Sequence, residues 1–174
     1  MRCKQGCGIV LAFMCILALF SCSNEDDREW FETKEEAIEY GTSKVEGDLK
    51  STLLSTEEYE GETIVFYDYG GALGVASISR GEEGYSWYRS NAYLDFESDG
   101  ETSYTTAGFD LETESGLKIP ILCGEAVDPS IEKMLLTGDG PQRELDILGD
   151  ARHFYAIHDS AFTQLEVTAV KPGE

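Results

Sequence analysis

Three short runs decide the fold: IEKMLLT at 131–137, QRELDIL at 142–148 and RHFYAIH at 152–158. The turn pairs Asp139-Gly140 and Gly149-Asp150 separate them, and QLEVTAV at 164–170 closes the chain. Short runs at roughly 8–12-residue spacing, bounded by tight turns, predict antiparallel strands in a meander or sandwich. Moving outward, 117–123 and 104–110 read as further strands. Pro120 lacks a backbone donor, so the 117–123 strand is expected to begin there or lie at a sheet edge. Upstream, 63–69 and 72–79 flank Gly70-Gly71, a two-residue hairpin signal. Residues 85–90 follow the turn at 80–84, and 91–103 reads as a polar loop. Residues 49–54 fit neither helix nor strand cleanly.

Near the start of this pattern, Thr33-Lys34-Glu35-Glu36 is a capping-box signature. Ala37, Ile38, Val45 and Leu49 fall on one helical stripe, Gly41 weakens it, and Gly47 is a plausible stop. A helix over about 34–46 is expected, with its Ile38/Val45 side on a sheet. The fold expectation is α+β: an N-terminal amphipathic helix, then a mainly antiparallel, sandwich-like β-sheet. It forms a single domain over 33–174, with a C-terminal β-meander at 117–170. The segment 124–131, followed by that meander, resembles the immunoglobulin-like sandwich modules of secreted bacterial proteins. Likeness at the level of fold implies no function.

Residues 1–21 carry an address. Arg2 and Lys4 precede an unbroken apolar run of 12 residues at 9–20. Spanning a bilayer takes roughly 20, so the run fits a signal-peptide core and not an anchor helix. Leu19-Phe20-Ser21-Cys22 resembles the bacterial lipobox, with Phe20 in place of the usual small or aliphatic residue. The resemblance implies cleavage before Cys22, a thioether-linked diacylglycerol on Cys22, and a further acyl chain such as palmitate on the new N-terminus. Two chains suffice for stable anchoring. Residues 22–32 then read as an acidic tether, with Trp30 and Phe31 the first to dock on the domain. The whole chain resembles small Gram-positive lipoproteins of unknown function. That resemblance implies lipid anchoring on the extracytoplasmic face of the cell membrane.

Of the five cysteines, Cys3, Cys7 and Cys15 leave with the signal and Cys22 takes lipid, so Cys123 remains alone. An exported chain with one thiol has no disulfide framework and relies on its core. Cys123 itself reads as a small buried hydrophobe. All 34 acidic residues follow residue 21, but Arg2 and Lys4 of the 13 basic ones do not, so cleavage takes the net charge from −21 to −23. That balance disfavours nucleic acid and anionic lipid, which need a basic face. It suits a cation or a basic partner, or simply solubility.

Candidate chemistry is sparse. His153 and His158 are the only histidines, and their odd spacing on a strand sends them to opposite faces. His158-Asp159-Ser160 holds the letters of a hydrolase triad, but adjacent residues at a strand end cannot form the relay. No Gly-x-Ser-x-Gly or His-Glu-x-x-His occurs, and no enzyme is expected. Asp95, Glu97 and Asp99, followed by Gly100, resemble the front half of an EF-hand calcium loop. Thr106 stands where the closing Glu belongs. Tyr85 and Trp87 share a strand face near Tyr88, Tyr93 and Phe96. If exposed, they could stack on a glycan or anchor a partner; otherwise they are core. The expected function is a non-catalytic binding or accessory module at the cell surface, meeting another exported protein or a cell-wall component. A ligand-binding protein for calcium or a glycan is the alternative, and an enzyme with a dispersed site is the third. No cofactor is implied beyond calcium.

Overall fold

The computed structural model describes residues 28–45, 49–97 and 100–173. Cys22, Asp99, the signal and most of the tether lie outside them. The chain is mainly antiparallel β-sheet with one short helix. Among the described residues no helix is long and apolar enough to cross a membrane.

Helix α1 (Lys34–Tyr40) opens on a capping box: the Glu36 amide donates to Thr33 Oγ1 at 3.2 Å, and the Thr33 amide to Glu36 Oε2 at 3.3 Å. Glu35 and Glu36 also sit at the positive end of the helix. Beyond Tyr40 the helix widens into a π turn over Gly41–Val45. Thr42 Oγ1 donates to the Ile38 carbonyl at 2.7 Å and Ser43 Oγ to the Glu39 carbonyl at 2.5 Å. Such side-chain bonds compete with the regular ladder and favour a local distortion.

Among the described residues there are ten strands: β1 (Ser51–Tyr59), β2 (Glu62–Tyr69), β3 (Ala72–Gly81), β4 (Gly84–Tyr88), β5 (Thr105–Glu112), β6 (Lys118–Glu125), β7 (Lys133–Thr137), β8 (Arg143–Asp146), β9 (His153–Ile157) and β10 (Glu166–Val170). They form three sheets, ordered β1-β2-β3-β4, β5-β6-β9 and β10-β7-β8. Gly70 and Gly71 both take positive φ, at 62° and 100°, so the β2–β3 loop has the mirror-type turn that a twisted hairpin needs. Strand β1, where 49–54 was ambiguous, pairs with β2 through Glu60-Gly61, with a register irregularity between Leu53 and Ser55.

The alternation of side chains stacks these sheets. Ile64, Phe66, Leu73 and Val75 of the first sheet pack on Leu111, Ile119, Ile121 and Cys123 of the middle one. The opposite face of the middle sheet, with Leu122, Phe154 and Ala156, packs on Met134, Leu136 and Leu145 of the third. The first sheet's outer face, with Val65, Tyr67, Ala76 and Ile78, is covered by Ala37 and Ile38 of α1 and by Phe31. Strands β2, β3 and β6 are therefore buried on both sides, which is why 63–67, 73–79 and 119–124 are almost continuously apolar or small.

Three expectations are corrected. Pro120 is not at an edge or a start: it lies inside β6, the central strand of its sheet. Its carbonyl accepts from the His158 amide at 3.2 Å, one residue beyond the end of β9, so the missing donor falls where the ladder has run out. The 117–170 segment is not a meander. β7 and β8 form a hairpin in the third sheet, but β9 crosses to the middle sheet beside β6, and β10 returns to pair with β7. Short, similar runs do not encode which edge a strand joins. Docking starts ahead of Trp30: Arg28 pairs with Glu114, before Phe31, whose amide and carbonyl both bond to Tyr85 at 2.8 and 2.9 Å.

Trp87 fills space that Gly41 leaves open; a Cβ at Gly41 would overlap its ring. Replacing it, Trp87→Ala, is expected to lower stability by about 3–5 kcal/mol in urea unfolding; a loss under 1 kcal/mol would show that the ring is not core. Cys123 is fully buried, and burial pushes its thiol up to about 12. In native protein at pH 8 a thiol reagent should therefore label Cys123 only at the rate of unfolding, a rate that denaturant raises.

Candidate functional site

The sequence-derived candidates fall in three places. Tyr85 and Trp87 share the first sheet's outer face, where both are half-buried beside α1 and Phe31. Trp87 lies 5.4 Å from the Tyr67 ring, its Nε1 buried without a partner. Asp95 and Glu97 are exposed and separated by the half-buried Phe96. Asp95 instead acts on Glu125, whose carboxyl is raised by burial first and by Asp95 second. Among the described residues no group of three or more His, Cys, Asp or Glu is placed to hold a metal ion. His158, Asp159 and Ser160 form no relay: His158 Nδ1 meets the Ser160 backbone carbonyl at 2.8 Å.

What the fold does assemble is a cleft of about 540 Å³ where three edge strands meet. β1 is the edge of the first sheet, β9 of the middle sheet and β8 of the third. Glu57, Glu58 and Tyr59 come from β1, Tyr155 from β9, Glu144 and Asp146 from β8; Asp139 and Asp159 enter from the adjoining turns. Tyr155 is the hinge of this arrangement. Its ring stacks on Phe66 at 3.5 Å and 10°, tying the middle sheet to the first. Its hydroxyl donates to Glu57 Oε1 at 2.9 Å. A phenol has one hydrogen, so Ser55 Oγ must donate to the Tyr155 oxygen in the short contact between them. Burial pushes the Tyr155 phenol up to about 12.

The rim is fixed by Asp139. One oxygen accepts from the Asp159 and Ser160 amides, each at 3.0 Å; the other takes Arg143 Nη2 at 2.6 Å. Burial works to raise the Asp139 carboxyl, but the two amides and Arg143 together hold it below its ordinary value. Arg143 Nη2 also donates to the Ile157 carbonyl at 3.0 Å. Tyr59 donates to Asp159 Oδ1 at 2.9 Å, and that bond, with burial, raises its phenol.

The donors of the wall are thus largely engaged, and acceptor capacity is left over. Lys34 pairs with Glu58, Lys133 with Glu144 and Arg143 with Asp139. Among the described residues no Lys or Arg forms an ion pair with Glu57 or Asp159, and Asp146 has only the longer-range attraction of Lys133, its cross-strand neighbour. His158 also lines the cleft, only 2% exposed, and its Nε2 has no partner. With Nδ1 on a carbonyl, Nδ1 carries the hydrogen of the neutral ring and Nε2 is a bare acceptor. Such a surface suits a ligand rich in N–H or O–H donors and repels an anion. Of these residues the sequence pointed only to His158 and Asp159, and for another reason. The rest come from three sheets, and only the paired Glu57-Glu58 in an alternating run was a local sign.

His153 is a separate buried group, fully enclosed, with the Gly71 backbone and Asp68 as its polar neighbours. Asp68 Oδ2 lies 3.6 Å from Nε2, the Phe96 ring is 5.9 Å away, and Glu125 is its cross-strand partner. Burial lowers its pKa below the 6.5 of a free imidazole, against a smaller upward pull from Asp68. The unfolded chain therefore binds more protons below pH 6.5. The stability contribution is complete above that pH and falls as the pH drops toward the folded value. Compared with wild type, His153→Leu should flatten the decline of Tm between pH 7 and 5; parallel pH profiles would exclude this role. Compared with known proteins, the chain matches no family model, no curated protein and no solved structure.

Proposed function

We propose that the chain is a lipid-anchored, extracytoplasmic binding module without catalytic activity, held to the cell membrane through Cys22 and taking its ligand in the cleft between β1, β8 and β9. The cleft carries this reading: edge strands from three sheets place two carboxylates without an ion pair among the described residues, two tyrosines and an unpartnered histidine in one concavity. A mixed apolar and polar concavity of this size is the usual form of a ligand site. The stacked sheets are compatible with the sandwich-like arrangement expected of such surface modules. Docking of the chain from Arg28 onward supports a short tether between lipid and domain, which would hold the cleft close to the membrane.

Metabolic labelling tests the anchoring. In bacterial cells grown with an alkynyl palmitate analogue, the chain should take up label and Cys22→Ser should abolish it. Equal labelling of the variant, or recovery of the chain from the cytosol, would defeat the anchoring.

A further inference from the structure

We infer that the occupant of the cleft is an extended, lysine- or arginine-bearing segment of another exported protein, added as a strand along the free edge of β1 with its basic side chains turned into the cleft. This rests on reading the cleft as the ligand site. Three observations carry it.

The first is charge complementarity of a local kind. Glu57 and Asp159 have no basic partner among the described residues, Asp146 has only the longer-range attraction of its cross-strand neighbour Lys133, and the hydroxyls of Tyr155 and Tyr59 already donate to Glu57 and Asp159. Carboxylates in that state retain free lone pairs for an ammonium or guanidinium. The second is the orphaned Nε2 of His158, a bare acceptor in the same lining, which again asks for a donor. Arg143 Nε, also buried without a partner, asks for an acceptor. A peptide supplies both, a basic side chain or amide as donor and a carbonyl as acceptor; a simple polyamine supplies only the first.

The third is the edge itself. β1 pairs with β2 on one side only, and no described strand covers the other. Beyond the register irregularity between Leu53 and Ser55, Ser55, Glu57 and Tyr59 share the cleft side, while Leu53, 46% exposed and before the irregularity, stands on the other face, paired with Tyr67. An added strand would place every second side chain over Glu57 and the others over the Leu53 side. A second copy of this chain is a poor occupant. It would bring the Glu57-Glu58 edge of one acidic molecule against another of net charge −21, the device by which proteins block edge-to-edge pairing.

The test uses the full chain in detergent, isotope-labelled for NMR, with three probes: a short peptide of alternating lysine and valine, one of alternating lysine and proline, and a neutral N-acetylglucosamine oligosaccharide. The lysine–valine peptide is expected to shift the β1 and Tyr155 signals, slow exchange of the β1 amides and bind more weakly as salt is raised. Glu57→Gln with Asp159→Asn should weaken it about tenfold. Asp146→Asn, at an exposed position, provides a second variant with no folding risk and should weaken it about threefold. Equal binding of the lysine–proline peptide would overturn strand addition, since proline offers no backbone donor. Shifts with the oligosaccharide at Tyr59 and Tyr155, and none with either peptide, would overturn the cationic occupant yet leave the cleft as the site. Silence of the cleft signals with all three probes would overturn this inference and the cleft reading together.

Discussion

β6 is the strand on which the rest depends, because it is covered on both faces. Ile119, Ile121 and Cys123 meet the first sheet, and Leu122 meets the third. A strand in that position cannot carry a charge on either face without an unpaired buried group, a penalty of several kcal/mol. Its only charged residues, Lys118 and Glu125, stand at its two ends. The strand also needs room. A Cβ at Gly124 would overlap the Thr105 carbonyl and the Phe154 ring on the two flanking strands, so the glycine is what lets Phe154 lie across β6. The same device recurs where Tyr67 covers Gly74 and Phe162 covers Gly108. Rings set over strand glycines add packed area where the sheet would otherwise be thin.

Stacking three small sheets has a second consequence. Each sheet has only three or four strands, so six of the ten are edges. Edges that faced one another with free ladders would pair. Here β1, β8 and β9 instead meet as a cleft, and side chains set their separation. The Phe66–Tyr155 stack and the Ser55–Tyr155–Glu57 hydrogen bonds fix β9 against β1. The Asp139 bonds to Arg143 and to the Asp159 and Ser160 amides fix the turns beside β8 and β9. The concavity is therefore a by-product of how the layers are tied, and it inherits their rigidity.

Much of the strand layout was legible locally. The runs at 63–69, 72–79 and 104–110 correspond to β2, β3 and β5 within a residue or two, because alternation and glycine turns are properties of neighbouring residues. β1 was missed because Leu53 and Leu54 break its alternation at the register irregularity and four of its nine residues are Ser or Thr. Pairing was not legible. β9 resembles β7 and β8 in length, and its place beside β6 rests on contacts with residues distant in sequence, such as the stack of Tyr155 on Phe66 and the fit of Phe154 over Gly124. The cleft was hidden for the same reason: Glu57, Asp139 and Tyr155 are far apart in sequence and each is unremarkable alone. Tyr85 and Trp87 were visible as aromatics, but whether they face solvent depends on α1, which no local pattern around them reports.

The charge of the chain needs to be weighed by distance. At physiological salt, exposed charges more than about 8 Å apart are largely screened, so a net charge of −21 acts mainly to keep copies apart. Within the cleft the separation is shorter and the walls are partly desolvated, so local balance decides. There, Lys34, Lys133 and Arg143 compensate Glu58, Glu144 and Asp139, Lys133 also attracts Asp146 at longer range, and Glu57 and Asp159 remain. Tyrosine hydroxyls satisfy part of the demand of Glu57 and Asp159 without neutralising them. A neutral donor can stabilise a carboxylate, but it leaves the negative charge in place. On the proposed reading, the global charge keeps copies apart, and the local residue of charge would favour a cationic segment at the edge of β1.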